Sequence, residues 1–157
     1  MKSKSFFLSL LFVIVLIFVL TFVKDYSGIN SVNKTQVANS SYVQINNLII
    51  SVQVADTPTA RAKGLSDALS LPEKEGMFFI FSEPNNYKFW MKDMNFSIDM
   101  IWIDSNFKII YIEHNISPKS FPDKFGPEEL SKYVLEVNAG FSEKNNFQIG
   151  DSVTFLP

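Results

Sequence analysis

Cysteine is absent from the 157 residues, and histidine and arginine occur once each, at His114 and Arg61. Without cysteine there is no disulfide scaffold, thiolate zinc site, Cys nucleophile or lipid-modified cysteine. With a single histidine, any Ser-His-Asp triad has to run through His114, and no Gly-x-Ser-x-Gly elbow exists to present the serine. A phosphate-binding glycine loop is also missing. Charge is scarce, at 19% of residues, while phenylalanine is abundant at 16, which excludes a disordered chain. A pI near 5.4 argues against a nucleic-acid partner. Neither a cofactor nor a metal is indicated, and the length suits one modest domain with an accessory segment.

What is present at the start of the chain is a long apolar run. Residues 6–23 read FFLSLLFVIVLIFVLTFV without a charge, between Lys2 and Lys4 on one side and Lys24 and Asp25 on the other. At about 1.5 Å per residue the run makes roughly 27 Å of helix, close to the hydrocarbon thickness of a bilayer. A cleaved signal peptide would have a shorter apolar core and a small-residue cleavage site; here the run ends in Thr21, Phe22, Val23 and Lys24. No polar face interrupts it, as a buried soluble helix would show. Residues 1–23 are therefore expected to be an uncleaved signal anchor whose transmembrane helix, 6–23, takes the lipid bilayer as its partner. The short tail ahead of it places the C-terminal part outside the cytoplasm, in the periplasm or at the cell exterior. Residues 24–42, rich in Ser, Asn, Thr and Gly, read as a flexible linker.

The remaining residues, 43–157, form the expected globular domain, and its charge differs from that of the whole. Residues 1–42 hold four of the 14 basic side chains and one of the 16 acidic ones, so ten basic and fifteen acidic groups remain in the domain. Residues 43–55 predict two short strands around Asn46 and Asn47, which tolerate the positive φ of a tight hairpin. Asp56, Thr57 and Pro58 supply a helix start and Gly64 a stop, which predicts one helix over 58–64. Aromatic and β-branched runs at 76–81, 87–91, 98–103, 107–112, 133–137 and 152–156 predict further strands. Residues 115–130 carry Pro118, Pro122, Gly126 and Pro127 and predict a long loop anchored by Phe121 and Phe125. Many short strands and one or two short helices indicate a mainly β domain, a small antiparallel β-barrel or sandwich.

A set of residues also stands in a characteristic order: Arg61, Gly64 and Leu65; Glu75, Gly76, Met77, Phe79 and Phe81; Phe89, Trp90, Met91 and Lys92; then Asp99, Leu135, Glu136, Ala139, Gly140, Gly150 and Asp151. This pattern, over almost all of residues 48–156, resembles the domain-of-unknown-function family 192. The resemblance implies a small, mainly β domain, often exported or membrane-anchored, with no agreed biochemical activity. The sequence departs from the pattern at Asp93, Met94 and Asn95, where many members look to have Asn-Thr and an apolar residue.

Strand alternation ranks the candidate site residues. A strand over 87–92 would put Tyr87, Phe89 and Met91 on one face and Lys88, Trp90 and Lys92 on the other. Trp90 could then stack on a planar or sugar ligand while Lys92 holds an anion, or it could simply be covered by the helix or long loop. Asp99 lies in a strand apolar on both faces and needs a cationic or hydrogen-bonding partner, for which Lys92 and Arg61 are candidates. Arg61, with its planar fork, suits either an internal salt bridge or an anion socket shared with Lys92. Glu136 alternates out of phase with Tyr133, Leu135 and Val137, so it is expected to point away from the main core. With Asp99 it could form a carboxylate pair for acid and base work. Glu113 and His114 face opposite ways, leaving His114 at the surface or a loop edge.

These residues lead to a non-catalytic binding or accessory module, membrane-anchored and extracytoplasmic. Its candidate site comprises Arg61, Trp90, Lys92, Asp99 and Glu136, and its candidate ligand is a small anionic or sugar-like molecule. The alternatives are a carboxylate-based hydrolase of a cell-envelope polymer, using Asp99 and Glu136, and a purely structural envelope protein.

Overall fold

A computed structural model of the chain describes residues 41–157. The expected anchor over 6–23 lies outside the described residues, as does the expected linker except for its last two positions. Those two, Ser41 and Tyr42, already belong to the first strand, so the domain starts two residues earlier than expected. Among the described residues no helix is long and apolar enough to cross a membrane.

The hairpin at the domain's start forms as its sequence requires. Strands β1 (Ser41–Ile45) and β2 (Leu48–Ala55) pair antiparallel across Asn46, whose φ of 54° is the positive value asparagine tolerates. Helix α1 (Pro58–Lys63) follows, capped by Thr57, whose Oγ1 accepts a hydrogen bond from the Ala60 N–H at 3.1 Å. Gly64, at φ 51°, ends it by donating its N–H to the Ala60 carbonyl. Strand β3 (Glu75–Asn85) comes next, then β4 (Ile98–Ile103), β5 (Ile109–Ile116), β6 (Ser131–Asn138), a four-residue helix α2 (Phe141–Lys144) and β7 (Val153–Leu156). A 3-10 turn, Pro118–Ser120, interrupts the long loop between β5 and β6.

All seven strands join one sheet in the order β5-β4-β6-β3-β2-β1-β7. Its two edges approach where Lys108 bridges Ser152, so the sheet curls into a half-barrel. This corrects the expected antiparallel barrel or sandwich in two respects. Only one sheet is present among the described residues, and β2 pairs with β3 in parallel. A parallel pair needs a crossover connection, and residues 56–74, with α1 inside them, provide it.

Both faces of the sheet are covered, and for that reason β4 is buried at every position. Ile101 and Ile103 belong to one core with Val43, Ile50, Phe78, Leu135 and Val137. Ile98, Met100 and Trp102 belong to a second, with Leu65, Phe79, Met91 and Val134. Helix α2 brings Phe141 to the first core. The second core packs against Ala60 of α1, Phe89 and Phe125.

The strand expected over 87–91 does not form. The segment makes a single bridge, Phe89 with Phe125 of the long loop. Side chains instead of a ladder meet the carbonyls at its two ends: Tyr87 O accepts from Trp102 Nε1 at 2.8 Å, and Lys92 O, just past the segment, from Ser66 Oγ at 3.0 Å. The inward-outward alternation survives nonetheless. Met91 is buried and Tyr87 and Phe89 are half-buried, while Lys88, Trp90 and Lys92 are exposed.

Candidate functional site

The second core is where the sequence's candidate residues gather. Register pairing places Glu136 of β6 beside Met77 of β3 and Met100 of β4, on the face that carries Val134 and Trp102. It points away from the first core, as alternation predicts, but into the second core and not into solvent: Glu136 is 5% exposed. Its Oε2 has no hydrogen-bond partner among the described residues. Burial, with no cation to offset it, pushes the carboxyl up to about 8, so near neutral pH it carries a proton. A buried neutral carboxyl is both a hydrogen-bond donor and an acceptor.

Glu136 lines a cavity of about 330 Å³, together with Arg61, Trp90 and Lys92 and with walls that include Phe79, Phe81 and Phe89. Four of the five sequence candidates therefore border one space. Arg61 reaches it from α1. Its Nη1 donates to the carbonyls of Asp56 at 2.6 Å and Ile80 at 2.9 Å, and its guanidinium lies 5.1 Å from the centre of the Phe81 ring. The arginine ties the helix to β3, but through carbonyls and a ring, which replaces the expected carboxylate salt bridge. Trp90, 48% exposed, meets Phe121 of the long loop edge-on at 5.6 Å, and Lys124 Nζ lies 5.6 Å from its ring centre. The loop thus touches Trp90 without covering it. Lys92 stands 3.7 Å from Asp93, both more than half exposed, an arrangement that contributes little to stability.

Asp99 is not part of this group. Register pairs it with Val137 while Met100 pairs with Glu136, so the two carboxyls project from opposite faces of the sheet. The carboxylate pair required for a hydrolase is therefore overturned, and neither Lys92 nor Arg61 serves Asp99. Its partners are three backbone N–H groups and one hydroxyl. Oδ1 accepts from Asn115 N and Gly140 N at 2.9 Å each, and Oδ2 accepts from Ser142 N at 3.0 Å and Ser142 Oγ at 2.5 Å. Ser142 Oγ also lies 3.0 Å from His114 Nδ1, so His114, though exposed, has a contact the sequence did not reveal. Serine, histidine and aspartate do meet here, but with serine in the middle. Ser142 is fully buried and gives its hydroxyl proton to Asp99, which leaves it unsuited to nucleophilic attack. The cluster fastens α2 to β4 and β5.

Sequence reasoning missed the phenylalanine walls as site components. Phe79 and Phe89 pack edge to face at 4.9 Å, and Phe81 stacks on Tyr87 with centroids 3.5 Å apart. Alternation groups Phe89 with Tyr87 and Met91, and Phe79 and Phe81 belong to the strand run at 76–81; that they border a cavity with residues of α1 appears only in the assembled fold. Among the described residues no three acidic or histidine side chains gather as metal ligands.

Comparison with known proteins agrees with this architecture. The sequence profile of domain-of-unknown-function family 192, described as Uncharacterized ACR, matches residues 41–155. A crystal structure of a putative transcription regulator from Sinorhizobium meliloti 1021 is similar with a TM-score of 0.69 and 27% identity, covering 74% of this chain and 94% of that one. A protein of unknown function from Novosphingobium aromaticivorans DSM 12444 is similar with a TM-score of 0.68 and 25% identity, covering 73% of this chain and 83% of the other. No curated protein matches.

Proposed function

The chain belongs to domain-of-unknown-function family 192, and from that premise we propose that its domain is a non-catalytic module that binds a small ligand, held at a membrane by residues 6–23 and facing the periplasm or cell exterior. The observation that carries the binding reading is Glu136. A buried polar atom without a partner costs about 1–3 kcal/mol, and this one sits at a cavity walled by aromatic rings and bordered by cations. A ligand atom bonded to Glu136 would remove that penalty. Apolar walls with a few polar groups are the usual composition of small-molecule sites.

The regulator description of the Sinorhizobium protein is not carried over to this chain. The domain has five more acidic than basic side chains, which opposes association with a phosphate backbone. The membrane placement is supported by the eighteen-residue apolar run alone.

Two measurements test the proposal. The full chain in detergent micelles, screened by thermal shift against small carboxylates, phosphates, sugars and neutral aromatics, should show saturable stabilisation by at least one class. Loss of that stabilisation in Glu136→Leu would support the site; no shift with any class would favour a purely structural protein. Carbonate extraction and protease accessibility in intact cells stripped of their outer layers should leave the protein in the membrane fraction with its domain cleavable. A protein released by carbonate, or protected until the membrane is broken, sinks the anchored, outward-facing arrangement.

A further inference from the structure

The cations around the cavity are not equally available. Lys63 is paired with Asp67 at 2.5 Å. Lys88 donates to Glu128 at 2.7 Å and to the carbonyls of Gly126 and Pro127 at 2.8 Å each, which uses its three protons. Lys92 has only the loose 3.7 Å contact with Asp93. Arg61 commits Nη1 to two carbonyls, while its Nε and Nη2 donate no hydrogen bond among the described residues. No acidic side chain other than Glu136 lines the space. Two cations with donors to offer therefore face a cavity with no fixed negative charge, on a domain that is acidic overall.

Exposure gives the cavity a direction. Lys92 and Trp90 are exposed, Phe81 and Phe89 half-buried, Phe79 and Glu136 buried. An anion would meet Arg61 and Lys92 first, with rings beyond them and a lone carboxyl at the floor. A sugar fits this lining poorly, because its hydroxyls each require a polar partner. Apart from the lysines, the walls offer few: the Tyr87 hydroxyl already donates to the Glu83 carbonyl and the Ser66 hydroxyl to that of Lys92. A planar ring finds faces to stack on. The volume of about 330 Å³ is at the small end for ligand sites.

We propose that this cavity takes a small aromatic carboxylate: its anionic group lies at Arg61 and Lys92, its ring among Phe79, Phe81 and Phe89, and an acceptor on the opposite end receives a hydrogen bond from Glu136. The assignment rests on the binding reading above and names its ligand class. Met77 of β3 and Met100 of β4 flank Glu136 in the sheet, and the charged groups lining the same cavity are Arg61 and Lys63 from α1 and Lys88 and Lys92 from the 86–97 segment. Burial raises the Glu136 carboxyl to about 8, so it is a donor at neutral pH.

Calorimetric titration of the full chain in micelles with four probes tests this: 4-acetylbenzoate, benzoate, 4-acetylbenzamide and glucuronate. Binding of 4-acetylbenzoate is expected, with benzoate, which lacks the acceptor, and the uncharged amide each roughly tenfold weaker, the scale of one lost hydrogen bond to a buried group. Lys92→Gln should weaken both benzoates and leave the amide unchanged. Glu136→Leu should abolish the advantage of 4-acetylbenzoate over benzoate, whereas Glu136→Gln, which keeps a donor, should retain it. That advantage should fade as pH rises through about 8 in the native chain and persist in Glu136→Gln. Tighter binding of glucuronate, or equal binding of amide and carboxylate, overturns the ligand class. If no probe binds while the broader screen yields another ligand, this assignment alone fails; if neither yields one, the binding reading fails with it.

Discussion

Burial moves the Glu136 carboxyl from 4.5 to about 8, and this shift makes folding depend on pH. Between those values the unfolded chain has lost the proton and the folded chain keeps it. The unfolded state then binds fewer protons, so stability falls as pH rises, by at most about 1.4 kcal/mol per unit. The urea midpoint should decline from about pH 5 to about pH 8, then level off, and Glu136→Gln should flatten the profile. Other displaced groups titrate outside this window. Glu73 and Glu128 are lowered by hydrogen bonds from Lys144 and Lys88, and Tyr111 is raised by its hydrogen bond to Glu113. Asp99 presents the opposite case, a buried carboxyl fully engaged. Asp99→Ala would leave the N–H groups of Asn115, Gly140 and Ser142 without their acceptor, and should cost about 3 kcal/mol or more in urea unfolding. That Asp99 needs partners is legible in a strand apolar on both faces. Their identity is not, because they stand 16 to 43 residues away in sequence. Glu136 was legible in direction but not in isolation, since its burial depends on what crosses over β3 and β6.

Elements held by local chemistry were read closely. Helix α1 ends where Thr57, Pro58 and Gly64 require, and the Asn46 hairpin turns where asparagine tolerates a positive φ. The segment over 87–91 shows the limit of such reading. Its alternation is that of a strand, yet it has no neighbour to pair with beyond Phe125, because β3 already lies between β2 and β6. A period of two reports which side chains face inward; it does not report whether a ladder exists. The parallel β2–β3 pair was equally hidden, since pairing partners are a property of the assembled sheet. Within that sheet, β6 leaves no room for a side chain at Gly76 of β3. A Cβ added there would lie 2.7 Å from the Glu136 carbonyl oxygen and 3.2 Å from Leu135 Cδ1. Gly76→Ala should therefore force the two strands apart and lower stability by about 1–3 kcal/mol. Equilibrium unfolding measures the loss, and accelerated amide exchange should appear first in β3 and β6.

At the scale of the molecule, the sheet sets the domain's first strand beside its last. Tyr42 to Ile45 pair with Leu156 to Val153, so the first strand depends on the last. Removing residues 151–157 would strip β1 of one of its two neighbours, leaving β2 alone beside it, and open the first core at Val43, Ile45 and Val153. The truncated chain should fail to give the cooperative thermal transition of the intact one; a retained sharp transition would show that β7 is dispensable. Such distant pairings also delay folding, because loop closure must precede the contacts that reward it, and folding in milliseconds to seconds is the expectation. The same pairing settles how the domain would respond to mechanical load. Tyr42 and Leu156 are adjacent partners on antiparallel strands, so a pull applied at residues 41 and 157 falls on one hydrogen-bonded pair at a time. The ladder then peels from its end, as a zipper does, instead of resisting in shear across all its rungs. A domain tugged from both termini would surrender β7 first, while the α1 crossover and the cavity beside it stayed assembled until the peeling reached β2.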